Sequence, residues 1–455
     1  MFKQSLTRLK KSIIFNGFRN HEREEMNVLF IVPDALRAAN LGCYGYPKKT
    51  SPYIDKLASE GVLFKNAISV ASHTMPSIVS MFTGLDPITH GVDGPRAYDV
   101  WIKQKLWKQW KQPFEILKEN GYMTAGCDKW MYEGLKYDTD IKDLKNAIEK
   151  YKNEKFFIWW APYQTHLPYN PKPPYDTMFM PKEISSSTRE KLKIVKSTMI
   201  IHKLDLLSKF EQQQAQGILE PATHPRSAGS MTFLEEDKPA IMALYDGEVR
   251  SQDDEIEGYI KKLEDLNLLD DTMVVLTSDH AEEIGERGSV GHASCSLAGT
   301  LYDEVIKVPL IIRYPKALPK GKVIDTQVSL IDIMPTLFDI MGFEMPKETE
   351  GHSLMPLIKG GNVDFKEKAY LETTPCGWQA LQGDERKIYA IRTPEMKLIY
   401  NDDPNNKDKC TYELYNLKDD IGEKRNLIDD MSDVANQFKD KLHNWIKKPS
   451  FLLNK

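Results

Sequence analysis

Three residues of this chain could do metal chemistry together: Asp34, Asp279 and His280, each standing just past a run that reads as a buried strand. Residues 27–33 run apolar into Asp34, and residues 272–277 run into Ser278-Asp279-His280. In a sheet covered by helices, ligands bind in the crevice outside the carboxyl ends of the strands. Two carboxylates and an imidazole delivered there form a donor set for a divalent cation, because such cations take carboxylate oxygen and imidazole nitrogen. A cation so held can lower the pKa of a nearby hydroxyl and polarise an ester.

Thr74 offers that hydroxyl. The segment Ser72-His73-Thr74-Met75-Pro76-Ser77-Ile78-Val79-Ser80-Met81-Phe82-Thr83-Gly84 predicts a helix with Thr74 as N-cap and Pro76 in the first turn. Ile78, Met81 and Phe82 supply its apolar face, and Gly84 stops it. Free amide hydrogens at a helix start favour a bound oxyanion or an alkoxide. A threonine hydroxyl is a weak nucleophile until a base or a metal lowers its pKa.

The elements that must position these groups are legible as four short runs rich in β-branched and aromatic residues, at 28–32, 156–160, 273–277 and 308–313. Helical patterns lie between them, which predicts an α/β fold: a large, mostly parallel sheet flanked by helices. Ile241, Leu244, Tyr245, Ile256, Ile260 and Leu263 keep helical spacing between Pro239 and Asp270, so a long helix returns the chain to the strand before Asp279. After residue 362, short alternating runs (369–372, 388–393, 398–400) and a helix ending near Trp445 predict a small antiparallel sheet capped by one helix. The expected organisation is a leader (1–26), a catalytic α/β domain (27–361) with a polar insertion or lid (170–238), and a C-terminal α+β subdomain (362–455).

A chain of 455 residues, 41% hydrophobic and 10% aromatic, can bury a large core. Its 61 basic against 66 acidic residues give a net charge of -5, which excludes nucleic-acid binding driven by bulk charge. Five scattered cysteines, Cys43, Cys127, Cys295, Cys376 and Cys410, lack zinc-ribbon spacing and suit a reducing compartment. The apolar cluster Ile13, Ile14, Phe15 is too short for a signal-peptide core, and no run approaches the roughly 20 apolar residues of a membrane span, so a cytoplasmic location is expected. Phe2, Leu6, Leu9 and Ile13 among basic residues would let the leader form an amphipathic helix in weak contact with an anionic membrane.

The run Asn27-Val28-Leu29-Phe30-Ile31-Val32-Pro33-Asp34-Ala35-Leu36-Arg37, with Leu41-Gly42-Cys43-Tyr44-Gly45-Tyr46 and Ser51-Pro52-Tyr53-Ile54-Asp55-Lys56-Leu57-Ala58, resembles the opening of the sulfatase family of the alkaline phosphatase superfamily. The likeness continues through Thr83-Gly84, Thr165-His166-Leu167-Pro168-Tyr169, Ser278-Asp279-His280-Ala281-Glu282, the blocks at 299–312 and the late blocks at 413–427. By this resemblance Asp34, Thr74, Asp279 and His280 fall on metal-binding positions, with Thr74 also at the nucleophile. Lys129 resembles the anion-binding lysine, and His166 and His292 fall near positions that contact the substrate oxyanion or protonate the leaving group.

Four positions depart from the pattern. Thr74 replaces the Cys or Ser that sulfatases oxidise to formylglycine, Ile78 replaces an Arg, Ala35 a second Asp and Met131 a His. A threonine with two aspartates and one histidine is the arrangement of the superfamily's phosphoryl-transfer branches. The resemblance therefore implies a metal-dependent hydrolase or transferase of phosphate or phosphonate esters with a covalent intermediate on Thr74, using one or two divalent ions, zinc or manganese. Two alternatives stand beside it: a sulfuric ester hydrolase, with calcium, and a catalytically silent member that binds a glycan or phosphorylated ligand. The implied substrate is a small-molecule, glycan-linked or lipid-linked ester.

Overall fold

A computed structural model describes residues 26–93, 111–127, 135–201, 227–228, 233–293, 299–361, 365, 368–375 and 385–449. The leader up to residue 25, Lys129, Met131, Cys295, Cys376 and much of the expected lid lie outside the described residues.

In chain order the strands of the first half are β1 (Asn27–Ile31), β2 (Val62–Ile68), β3 (Met123–Gly126), β4 (Thr139–Asp140), β5 (Phe156–Trp160), β6 (Ile200–Ile201) and β7 (Ser227–Ala228). The second half adds β8 (Thr272–Thr277), β9 (Glu283–Ile284), β10 (Val290–Gly291), β11 (Lys307–Val308), β12 (Leu310–Arg313) and β13 (Lys322–Ser329). The C-terminal sheet consists of β14 (Ala369–Thr373), β15 (Lys387–Arg392), β16 (Met396–Asp402) and β17 (Thr411–Asn416).

The large sheet runs β11-β2-β12-β8-β1-β5-β3-β4, with β13 beside β2. β1 lies between β8 and β5, parallel to both, and β5, β3 and β4 continue in parallel, whereas β11 and β12 run antiparallel. All five residues of β1 and all six of β8 are buried, which is why these two strands read as continuous apolar runs rather than alternating ones. The predicted mostly parallel sheet is therefore correct, and the register Ile31↔Leu276 makes the two central strands deliver Asp34 and Asp279 at one edge.

Each face of the sheet carries a core. On one, Phe30, Phe157 and Trp159 pack against Met81 and Phe82 of α1 (Thr74–Thr83). On the other, Leu29, Ile31, Ile158 and Leu276 meet Ile241, Leu244, Tyr245 and Ile256 of α2 (Lys238–Asp265), the long helix expected from its spacing. The described parts of the expected insertion pack on α2: the Tyr175 hydroxyl donates to Asp254 at 2.6 Å and Thr188 to Asp237 at 2.7 Å.

The C-terminal sheet, ordered β14-β15-β16-β17, is covered by α3 (Ser432–Ile446) through Ala435, Phe438, Leu442 and Trp445, as the alternating runs predicted. Trp445 Nε1 donates to Asp86 at 2.7 Å, and Lys397, fully buried, bridges Asp303 and Glu423 at 2.7 Å each. These polar ties fasten the small sheet to the segments around the large one.

Candidate active site

Asp34 is presented by a backbone that is held from several sides. Its amide donates to the Pro162 carbonyl at 2.9 Å, and Thr165 Oγ1 donates to its carbonyl at 2.6 Å. The next residue, Ala35, sits at φ 62°, a left-handed conformation that costs an L-residue about 1–2 kcal/mol. Tyr245 of α2 stabilises it: its hydroxyl donates to the Ala35 carbonyl at 2.7 Å and accepts from the Arg37 amide at 2.8 Å. Strain of this kind persists where surrounding structure over-determines it, commonly at functional sites.

Ser278 ties the two strand ends together. Its hydroxyl lies 2.6 Å from the Pro33 carbonyl and accepts from the Leu36 amide at 2.9 Å. Asp279, 1% exposed, accepts through Oδ1 from its neighbour His280 N at 2.9 Å and from Ala35 N at 3.3 Å, while its buried Oδ2 has no hydrogen-bond partner.

His280 is oriented by one contact. Its Nδ1 lies 3.0 Å from the Ala281 carbonyl, which can only accept, so Nδ1 carries the hydrogen and Nε2 presents a lone pair. That Nε2 is 3.5 Å from Asp34 Oδ1, 3.5 Å from Asp279 Oδ2 and 3.3 Å from Thr74 Oγ1. Two carboxylates facing an imidazole lone pair in a buried site repel one another without a cation among them. The three donors lie within 4.8 Å of one another, and the orphaned Asp279 oxygen fits a metal ligand.

Thr74 is the first residue of α1 and His73 its N-cap, with no side-chain capping bond. The expectation that Thr74 caps the helix is thus corrected: one residue further in, its hydroxyl faces His280 rather than the helix's own amides. Gly84 does end the helix, at φ 69°. Ile78, where the family pattern has Arg, is buried in the core against the large sheet, so this site has no guanidinium at that position.

His166 and His292 are brought together with this group, their ring centroids 4.8 Å apart, and His292 lies 4.2 Å from His280. Burial holds His166 neutral, its pKa pushed down to about 4. His292 Nδ1 is hydrogen-bonded to Glu282, whose other oxygen accepts from the Tyr169 hydroxyl. Burial pushes the Glu282 carboxyl well up and the His292 imidazole well down, so both favour uncharged forms.

His73, Glu282, Tyr169 and Tyr245 are members of the site's surroundings to which the sequence alone assigned no role. His73 is fully buried between Thr373 Oγ1 (3.2 Å) and the Asp93 carbonyl (2.9 Å), with burial pushing its pKa down to about 4. Glu282 and Tyr169 did leave a signal, since they belong to the Ser278–Glu282 and Thr165–Tyr169 blocks.

The Sulfatase family model matches residues 26–343, and the model described as N-sulphoglucosamine sulphohydrolase, C-terminal, matches residues 299–448. An ulvan-active sulfatase of Formosa agariphila is 26% identical over 76% of this chain and 68% of its own length. An N-acetylglucosamine-6-O-sulfatase of Bacteroides thetaiotaomicron is 24% identical over 90% of this chain and 84% of its own. Among solved structures, the phosphonate monoester hydrolase of Agrobacterium radiobacter superposes with TM-score 0.68 at 19% identity, covering 92% of this chain and 95% of that one. A protein solved in complex with its substrate D-glucosamine-2-N,6-O-disulfate superposes at 0.66 with 19% identity, covering 93% and 98%. With residues 26–448 matched by the two family models, the chain belongs to the sulfatase family and is a hydrolase of ester bonds.

Proposed function

We propose that this protein hydrolyses sulfuric esters of a glycan or a sugar-sized molecule, with Thr74 as nucleophile and a divalent cation held by Asp34, Asp279 and His280. The observation that carries the reading is Thr74 Oγ1 at 3.3 Å from His280 Nε2, beside two buried carboxylates. The relatives' names favour a sulfuric ester over the phosphorus ester that the threonine alone suggested.

Bound at these residues, a divalent cation would lower the pKa of the Thr74 hydroxyl and draw charge from the ester oxygens. Thr74 Oγ1 gives up its proton to solvent and bonds to sulfur as the ester oxygen leaves with its electron pair and takes up a proton. Water then bonds to the same sulfur, the bond to Oγ1 breaks and sulfate departs. A threonine has one hydroxyl, so unlike an aldehyde hydrate it cannot expel sulfate by collapse, and release depends on that water. His166 and His292 border the reacting group, and Lys129 is assigned to its anionic oxygens by resemblance alone.

A second reading, a phosphate or phosphonate ester resolved in the same two steps, is favoured by the threonine and by the phosphonate monoester hydrolase among the structural neighbours. The test is turnover of nitrophenyl sulfate, nitrophenyl phosphate, a nitrophenyl phosphodiester, a phosphonate monoester and a sulfated N-acetylglucosamine, by wild type and Thr74→Ala, with calcium, manganese or zinc added to metal-stripped protein. Sulfate turnover lost in the variant supports the proposal, and turnover confined to phosphorus esters replaces it with the second reading. No turnover by wild type on any of the esters would sink both.

A further inference from the structure

The residues that lead into α1 are held by the C-terminal sheet. At the end of β14 the Glu372 amide donates to the Val70 carbonyl at 2.9 Å, and the next side chain, Thr373, meets both residues before Thr74. Ser72 Oγ donates to Thr373 Oγ1 at 3.0 Å, and Thr373 Oγ1 lies 3.2 Å from His73 Nδ1. All three side chains are buried.

The direction of these bonds follows from the far side of the imidazole. His73 Nε2 lies 2.9 Å from the Asp93 carbonyl, which can only accept, so Nε2 carries the hydrogen and Nδ1 accepts from Thr373. The Thr373 hydroxyl has one hydrogen, and the Thr374 carbonyl, at 3.5 Å, is the more distant acceptor. Ser72, Thr373, His73 and Asp93 thus form a chain of hydrogen bonds that runs one way. Lys387 of β15 closes it, donating to Glu372 Oε1 at 3.0 Å and to the Asp93 carboxylate.

A hold is needed at this point of the chain. Thr74 opens α1, and a helix start without a side-chain cap is where a helix frays. Inside the helix, Ser77 Oγ lies 3.0 Å from Ser69 Oγ, which is 2.5 Å from the Asp279 carbonyl. That anchor ties the helix body to the metal-ligand strand but sits beyond Thr74. His73, extended at φ -160° and ψ 162°, sets how Thr74 enters the helix, and His73 is what Thr373 holds.

We propose that Thr373 is a positioning residue: its hydroxyl, acting through Ser72 and His73, fixes Thr74 Oγ1 where it can attack, which makes the C-terminal sheet part of the catalytic apparatus. This rests on the reading of Thr74 as the nucleophile. Misplacing a reacting group by about 1 Å can cost about 10²-fold in rate. The loss should fall on kcat, because the bonds of Thr373 go to Ser72, His73 and Thr374 rather than to Asp34, Asp279 or His280.

Thr373→Val keeps the shape and removes the hydroxyl. With the nitrophenyl ester that wild type turns over, sulfate or phosphonate, its kcat is expected to fall at least about tenfold while KM stays within about twofold. Metal content should match wild type. Thr373→Ser keeps the hydroxyl and is expected to hold kcat within about twofold of wild type, which a packing role for the lost methyl would not allow. Ser72→Ala, the milder change, breaks the other bond to Thr373 and should show the same split at smaller size; it carries the test alone if Thr373→Val does not fold. A variant that melts earlier yet keeps the wild-type kcat would make the hold purely structural and overturn the proposal. So would a raised KM with kcat kept, a loss of metal, or a Thr373→Ser as slow as Thr373→Val. Failure of wild type to turn over any ester, or a Thr74→Ala as fast as wild type, would instead remove the reading on which it rests.

Discussion

Thr74 Oγ1 and His280 Nε2 are 3.3 Å apart although 206 residues separate them in the chain. The helix start that carries Thr74 and the strand end that carries His280 meet because β8 lies beside β1 at the centre of the sheet, while α1 packs on that sheet's face.

Thr74→Ala should remove turnover by at least about a thousand-fold, the scale of losing a nucleophile. Its stability should stay within about 1 kcal/mol of wild type, because Thr74 caps nothing and is only half-buried. Steady-state kinetics beside thermal unfolding check both. A large loss of stability would mean that Thr74 is structural.

Removing the metal should abolish activity and lower the melting temperature. A cation present at 100 times its Kd stabilises by about 2.7 kcal/mol, so wild type should respond to chelation by that order. Asp279→Asn, which loses a carboxylate oxygen now without a hydrogen-bond partner, should melt at the same temperature with and without chelator. Equal responses of the two proteins would argue against a cation at these residues.

Acidification should destabilise the fold through His90. It is fully buried, accepts from the Val92 amide through Nδ1 at 3.0 Å and meets Ser80 Oγ at 2.9 Å, and burial pushes its pKa down to about 3. The unfolded chain binds this proton near pH 6.5, so between there and about 3 the unfolded state holds more protons and stability falls as pH falls. The loss amounts to several kcal/mol, since each tenfold difference in proton affinity between the two states is worth about 1.4 kcal/mol. Asp332, raised to about 7 by burial, acts in the opposite sense. The difference between wild type and His90→Gln, measured by denaturant unfolding at pH 7 and pH 5, isolates the histidine, and the gap between them should narrow at pH 5.

Lys397→Met should cost about 3–5 kcal/mol, because Asp303 and Glu423 would keep buried negative charge without that cation. Arg392, paired with Asp303 at 2.7 Å, softens the loss on that side only. Removing Glu423 as well, as Lys397→Met with Glu423→Gln, should recover part of the stability. Chemical denaturation of the single and double variants decides this.

By itself the sequence determined the central strands and what stands at their ends. Short runs such as 27–33 and 272–277, rich in β-branched residues and bounded by polar turns, read as inner strands of a covered sheet, and an Asp or His just past them then emerges at the carboxyl edge. It also determined the long helix and the small C-terminal sheet, because helical spacing and alternation are local patterns that burial enforces. Tertiary structure decided the rest of the site. Whether Thr74 caps α1 or begins it turns on one residue of helix start, which propensity does not resolve. The Tyr245 clamp on Ala35 spans 210 residues and the Tyr169 bond to Glu282 spans 113, and no local pattern encodes which hydroxyl will reach which group. The Ala281 carbonyl that turns His280 Nε2 toward Thr74 is adjacent in sequence, yet its effect depends on the φ and ψ that packing imposes there.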